Sequence, residues 1–414
     1  MFTLKKYGLL IVVPILLLLA VLLAVRVVGA MDYHHNDNDF FTFWLAGHLV
    51  AHGGSPYDPA QWLAGYHQFD IGFVPNPAFL YPLPLALLLA PLGLLPVQGA
   101  YVVWVTLTEL MIVACLTILV RLETNPRRKH FFFPLFAGIV LFRPTILTLT
   151  QGQVSGLFLF ALVWIAFLWE KGQWFWGGFL LGLLALKPNL GFIVIVLVAI
   201  WLLRNNNWPA LYGTLACGIF VLLAGLIDNP GWVAQYLHID TNKLSETFGG
   251  SPTVWGMGAL ISHNQRAATL IIGGAAGLIL LFGFFRAILI TRAALRPVSV
   301  LALAVSVTLL VTPYTWTYDQ LLLMLPLTTL ILAMDRMGVR FALTASLFLG
   351  IDVLAVILLY FDSLLQVEIL NVLIPLVVFG LCLHWLGRGG SALIPRPSPA
   401  GGREFPSPFG RGTG

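Results

Sequence analysis

The chain has 414 residues, of which 59% are hydrophobic and only 9% charged, with a mean hydropathy of +0.92. Soluble domains carry about 25% charged residues, so this composition excludes a soluble protein and requires a polytopic all-α membrane protein. The net charge of +5 does not point to nucleic acid, because the basic residues are spread through short connections between apolar runs, as positive-inside topology reads. Cys115, Cys217 and Cys382 lie far apart inside such runs, so they suggest packing rather than a disulfide framework or a zinc site.

Lys5 and Lys6 precede an apolar run over 7–28. It is longer than the roughly 7–15 residues of a signal-peptide core and long enough for a spanning helix of about 20, which predicts an uncleaved first transmembrane helix. The segment 31–81 follows with five acidic residues, Asp32, Asp37, Asp39, Asp58 and Asp70, and no Lys or Arg. Translocated loops are poor in positive charge, so this one is expected outside the cytoplasmic (inner) membrane. Behind its Asp and Asn caps, Phe40, Phe43, Trp44 and Gly47 recur at helical spacing and predict a short helix on the membrane surface.

The next apolar stretch, 78–96, carries Pro82, Pro84, Pro91 and Pro96, and prolines break helices, so it is read as not spanning. That choice puts the basic connection holding Arg121, Arg127, Arg128 and Lys129 inside. Spans near 99–120, 131–149, 154–170, 174–186, 188–204, 209–228, 266–290, 297–312, 318–335, 339–361 and 367–387 bring the total to about twelve, with both termini cytoplasmic. Two of these, 174–186 and 188–204, are short for a bilayer and predict a hairpin that leaves a wet cavity. Residues 1–387 form the membrane domain, and the tail 388–414, rich in Gly, Pro, Ser and Arg, is expected to be disordered in the cytoplasm.

This topology gathers five polar segments on the outer side: the first loop, Gln151-Gly152-Gln153, Lys187-Pro188-Asn189, the loop 228–265, and 312–319. Asp39 and Asp37 could take a proton from an attacking hydroxyl, or simply cap the helix. With His34 and His35 nearby, the pair could also hold a cation. Lys187 has no acidic neighbour in sequence, so it either meets a phosphate or snorkels at a helix end. Arg143, ahead of Pro144, needs an anion if it faces inward. Gln151 and Gln153 suit a polyhydroxylated ligand, or end one helix and begin the next. Trp316, Tyr318 and Asp319 stand at a helix start, where aromatic belts explain the rings without any ligand. Tyr57 lies in a Gly-Ser-Pro-Tyr-Asp turn, and Trp255 in a loop that either covers a site as a lid or is an outer turn.

Taken together, DFFTFWLAGHLVAHGGSPYD, FLYPLPLALLLAPL, RPTILTLTQGQVSGLFLF, GFLLGLLALKPNLGF, SPTVWG and TPYTWTYDQLLLMLPL resemble, in order and spacing, the sequences of glycosyltransferase family 87. This family includes polyprenyl-phosphate-mannose-dependent mannosyltransferases of mycobacterial cell envelopes. The resemblance covers about residues 1–387 and implies a GT-C fold, a polyprenyl-phosphate sugar as donor, inversion at the anomeric carbon, and no metal or other cofactor. It places Asp39 at the family's essential aspartate and matches Gln153, Lys187 and Trp316 to family positions. Where the family often has a His two residues after that Trp, this chain has Tyr318, so no role of that His carries over. The absence of a dinucleotide or P-loop fingerprint agrees with a donor that brings its own leaving group. The expected activity is transfer of a hexose, with mannose foremost, to an envelope glycolipid or glycan acceptor. The rivals are a lipid or solute transporter, disfavoured by polar sites toward one face and no internal repeat, and a catalytically silent scaffold.

Overall fold

The computed structural model describes residue 23 and residues 39–69, 71, 74, 76–123, 126–239, 248–290, 295–365 and 367–389. Among these residues there are helices and turns but no strand. Apart from Leu23, the first apolar run lies outside the described residues, as do His34, His35, Asp37, Asp70 and all of the tail beyond Gly389.

Helix α1 (Asp39–Ala51) forms where its caps and aromatic spacing predict it. Protein covers it on most sides. Phe40, Phe41, Phe43, Trp44 and Leu45 are all at most 3% exposed. The run FFTFWLAG is apolar on every side, and a helix of that kind is enclosed by protein rather than half-embedded. After the short α2 (Pro59–Gln68), helix α3 (Leu83–Gly93) supplies most of that enclosure. The two backbones nearly touch: a Cβ on Gly47 would stand 2.6 Å from the Leu89 carbonyl oxygen, and one on Gly93 2.3 Å from the His48 nitrogen. Trp44 Nε1 donates to the Leu95 carbonyl at 3.0 Å, which locks the crossing. With 11 residues, α3 is about 16 Å long and falls well short of the ~30 Å apolar core of a bilayer.

Helix α4 (Val97–Leu122) is long enough to span. The single span expected over 131–149 is replaced by α5 (Phe132–Leu141) and α6 (Arg143–Gln151), whose axes differ by 56°. Pro144 lacks the N–H that would bond back to Val140, and its ring would clash with that carbonyl. The helix therefore stops and restarts with the proline in its first turn, where proline is tolerated. Next come α7 (Ser155–Glu170), α8 (Trp174–Leu183), a 3-10 turn (Leu184–Leu186), α9 (Pro188–Arg204), α10 (Trp208–Asp228) and the short α11 (Trp232–Leu237). Beyond 240–247 the chain continues through α12 (Val254–Ile261), α13 (Arg266–Ile290) and α14 (Pro297–Val311). A 3-10 turn (Thr317–Leu323), α15 (Met324–Arg336), α16 (Phe341–Leu365), a further 3-10 turn (Ile369–Val372) and α17 (Leu373–Gly389) complete the fold.

Among the described residues six helices are long and apolar enough to cross a membrane, or seven if the bent α5/α6 pair counts as one span. The expected twelve would need the shorter helices α7, α8, α9 and α14, which have at most 17 residues even with the 3-10 turn added to α8, together with the first apolar run, which lies outside the described residues apart from Leu23. α14 threads the centre, buried from Val298 to Val311, whereas α10 and α13 lie at the rim with Ile219, Phe220, Leu278 and Phe282 exposed, as lipid-facing surfaces require. Cys115, Cys217 and Cys382 are buried and unpaired, as packing residues are.

One end of the bundle is tied by charge. Arg296 Nε meets Glu170 at 3.0 Å and its Nη2 donates to the Leu122 carbonyl at 3.0 Å, while Arg336 meets Glu123 at 3.0 Å. This clasp joins the ends of α4, α7, α14 and α15, and the polar segments gather at the other end.

Because the α1/α3 crossing is a backbone contact, it has no side chain that could give way. Gly93→Leu is expected to lower stability by about 1–3 kcal/mol through overpacking. Gly99→Ala, with open space around its Cβ, leaves stability unchanged or slightly raised. Thermal unfolding of the detergent-purified protein reads both.

Candidate active site

The site is built on the turn between α6 and α7. Gly152 ends α6 in the left-handed region at φ +60°, where an L side chain is strained, and a Cβ there would lie 2.5 Å from Phe40 Cβ. From α4, Trp104 Nε1 donates to the Gly152 carbonyl at 2.9 Å and the Tyr101 hydroxyl donates to the Leu149 carbonyl at 3.0 Å. The Phe40 ring stacks on Tyr101 at 4.8 Å, so α1, α4 and the turn form one packed unit.

This turn reaches two carboxylates from distant parts of the chain. Gln153 Nε2 donates to Asp39 Oδ2 at 2.5 Å, and Ser155 Oγ donates to Asp319 Oδ1 at 2.7 Å. Asp39 is half-buried at the N-terminus of α1, where the helix dipole favours a negative charge. Gln153 is 1% exposed, and its Oε1 is buried without a hydrogen-bond partner among the described residues.

Lys187 and Asp319 are 2% and 1% exposed and form an ion pair between Nζ and Oδ1. The lysine interrupts the path from the 3-10 turn Leu184–Leu186 into α9, and Asp319 lies in the turn Thr317–Leu323 that leads into α15. Asp319 is saturated: besides Lys187 and Ser155 it accepts from Thr315 Oγ1 at 2.9 Å and from the Trp316 nitrogen at 3.4 Å. Lys187 Nζ also approaches Ser155 Oγ at 3.4 Å and stands 5.5 Å from the centre of the Tyr318 ring.

Arg143 meets carboxylates of the protein itself. Its Nη1 donates to Asp362 Oδ2 at 2.6 Å and to Asn371 Oδ1 at 3.2 Å, and its Nη2 lies 3.7 Å from Glu368. Glu368 in turn accepts from the Thr317 nitrogen at 3.0 Å and from Thr317 Oγ1 at 2.6 Å, so it braces the turn that carries Asp319. Trp255 Nε1 donates to the Val311 carbonyl at 2.9 Å, and Ser251 Oγ both donates to the Thr315 carbonyl and accepts from the Thr315 nitrogen at 2.8 Å. The loop considered as a lid is therefore pinned to the end of α14. Tyr57 donates to the Tyr81 carbonyl at 2.7 Å.

The site thus brings together Asp39, Gln153, Lys187, Tyr318 and Asp319, with Trp316 half-buried on the same turn. Gln151, also half-buried, has no polar contact to this cluster among the described residues. Sequence reasoning missed Ser155, Thr315, Asp362 and Glu368. The last two carried a signal, since a carboxylate inside or beside an apolar run needs a partner.

The phenols around the carboxylates share their field. Burial pushes the Tyr81 phenol well above its ordinary range, and repulsion of its phenolate by the Asp319 and Asp39 carboxylates, and by Tyr314 and Tyr236 once they ionise, adds to the shift. Tyr314 is raised to about 12, first by burial and then by Tyr236 and Asp319.

An apolar cavity of about 420 Å³ lies beside the cluster, between α3, α7, α8 and α10. Leu186 and Leu184 line it just ahead of Lys187, and Leu157 and Phe158 line it just after Ser155. Leu88 and Phe220, also in its wall, are more than half exposed, so the cavity opens at the lipid-facing side.

An all-helical membrane protein with a half-buried carboxylate, an amide partner and a buried lysine beside an apolar cavity has the equipment of a membrane transferase. The family model of glycosyltransferase family 87 matches residues 79–313, and the chain belongs to that family. It is a glycosyltransferase. The match covers Arg143, Gln151, Gln153, Lys187 and Trp255, while Asp39, Tyr57, Trp316, Tyr318 and Asp319 lie outside it. No curated protein and no solved structure matches the chain.

Removing one partner of the Lys187–Asp319 pair strands a dry charge. Lys187→Met and Asp319→Leu are each expected to cost about 3–5 kcal/mol, and the double variant less than the sum of the two. Unfolding of the three variants in detergent measures the coupling.

Proposed function

We propose that the protein transfers a hexose, with mannose as the expected sugar, from a polyprenyl-phosphate donor to a glycolipid or glycan acceptor at the outer face of the cytoplasmic membrane. The observation that carries this reading is the contact between Asp39 and Gln153: an amide within the matched family region holds a half-buried carboxylate at the start of α1.

Asp39 is the base. It takes the proton of an acceptor hydroxyl as that oxygen attacks the anomeric carbon, and the bond from this carbon to the phosphate oxygen breaks. Polyprenyl phosphate leaves with the electron pair, and the anomeric centre inverts. Asp319 does not serve in this way, because it is ion-paired to Lys187 and its oxygens are already occupied by four donors. Gln153 cannot take the proton itself; it fixes the direction in which Asp39 accepts it.

The donor phosphate approaches Lys187, where its oxygen replaces the long 3.4 Å contact to Ser155 and leaves the Asp319 pair intact. The prenyl chain lies in the apolar cavity that begins at Leu186 and Leu157 and opens toward lipid. Charge supports this orientation: Arg121, Arg128, Lys129, Arg204, Arg296 and Arg336 cluster at the clasped end, and the positive-inside rule favours the cytoplasm for such an end.

Asp39→Asn keeps the shape of the side chain and removes its basicity. Transfer from a synthetic polyprenyl-phosphate mannose should fall by at least about 10²-fold, with the unfolding temperature unchanged. Retained transfer in this variant sinks the assignment.

A further inference from the structure

Five tyrosines gather near the two carboxylates, with Tyr81 and Tyr318 feeling the charge of both, and the reaction as described uses none of their hydroxyls. Tyr57 and Tyr81 come from the segment after α1, Tyr236 from α11, and Tyr314 and Tyr318 from the turn between α14 and α15. Their scaffold is fixed. Tyr57 donates to the Tyr81 carbonyl at 2.7 Å and its ring centre lies 6.1 Å from that of Tyr236. Tyr81 packs on Phe43 and Phe79 at 5.2 and 5.3 Å, Tyr314 O accepts from Asn189 Nδ2 at 3.2 Å, and Tyr318 O accepts from Thr148 Oγ1 at 3.0 Å.

The hydroxyls are less committed than the rings. Those of Tyr81, Tyr236 and Tyr318 make no hydrogen bond among the described residues, although all three side chains are half-buried. None of the three hydroxyls is a buried atom left without a partner, so each stays open to a ligand's polar groups. Burial and the neighbouring carboxylates keep Tyr81 and Tyr314 protonated far above neutral pH, so these phenols remain donors. Flat apolar faces with hydroxyls at their edges, set beside carboxylates, match one ligand chemistry well. A pyranose ring offers C–H bonds on its faces and hydroxyls around its rim.

We infer that Tyr81, Tyr236 and Tyr318 form the binding subsite for a hexopyranose ring, with Tyr57 holding Tyr81 and Tyr236 in place over Asp39. The inference rests on the proposed transferase reading and deepens it, by assigning the groups that grip the sugar rather than those that move its bonds. The ring can belong to the donor or to the acceptor, and both bring the same chemistry.

The experiment is equilibrium binding to the full-length protein in detergent. One arm uses n-octyl α-mannopyranoside, which carries a sugar without phosphate, and the other uses citronellyl-phosphoryl mannose. Sugar-free octyl tetraethylene glycol ether and citronellyl phosphate are the respective controls. Tyr81→Phe, Tyr236→Phe and Tyr318→Phe each delete one hydroxyl and keep the ring, so folding is retained. Each should weaken binding of a sugar probe about fivefold, without changing affinity for its control. Tyr360→Phe, exposed on α16, should change neither. Weakening only in the octyl mannoside arm assigns the subsite to the acceptor, and only in the citronellyl arm to the donor. Unchanged affinity for both sugars in all three variants overturns the inference, as does equal weakening of the sugar-free controls. Because binding is read without turnover, the result stands apart from the Asp39→Asn transfer assay. Lost sugar binding with no transfer in the wild type condemns the proposed reaction alone.

Discussion

A lysine and an aspartate that are both within 2% of complete burial can stay charged only by meeting each other, and this constraint shapes the end of the bundle that carries the site. The desolvation of one such ion alone costs several kcal/mol, so the fold brings Lys187 and Asp319 into contact at the expense of regular helix. The path through α8 and α9 breaks at Lys187, and the chain after α14 turns inward as far as Asp319 before α15 begins. Ser155 and Thr315 complete the hydrogen bonding that a buried charge pair requires. With its oxygens taken up in this way, Asp319 is not the base in the proposed reaction; that role is assigned there to Asp39, which accepts from the neutral amide of Gln153.

The second element of the design is economy of position. One turn, bent back by Gly152, offers Gln153 to Asp39 and Ser155 to Asp319, so two carboxylates 280 residues apart in the chain are set from a single piece of backbone. Any shift of that turn moves both at once. Tyr101 and Trp104 hold it from α4, and the buried aromatic face of α1 holds it from the other side.

Much of this was legible in the sequence because bilayers force helices into long apolar runs. The expected span 266–290 coincides with α13, and 297–312 ends within a residue of α14. The polar segments that topology gathered on one side do converge, at Asp39, Gln153, Lys187 and Asp319. What escaped had physical causes. That α3 covers the run FFTFWLAG could not be read locally, because hydropathy does not distinguish lipid from protein as the apolar neighbour. Pro144 marked a break that span counting passed over. The partners of Arg143 lie 219 and 225 residues further along the chain, so its anion was invisible to local reading. Tyr236 gave no signal because a tyrosine in an outer loop is ordinary until its neighbours are known.

The central claim is that a lipid-linked sugar, rather than a nucleotide sugar, is consumed at this site, since the apolar cavity beside Lys187 has no counterpart in a nucleotide's needs. The direct measurement is to incubate the purified protein with matched hexosyl donors, polyprenyl-phosphate on one side and nucleotide diphosphate on the other, and to analyse the products by mass spectrometry. Glycosylated product from the polyprenyl-phosphate sugars alone is the predicted result. Product from a nucleotide sugar, or none from any lipid-linked sugar, would contradict the claim.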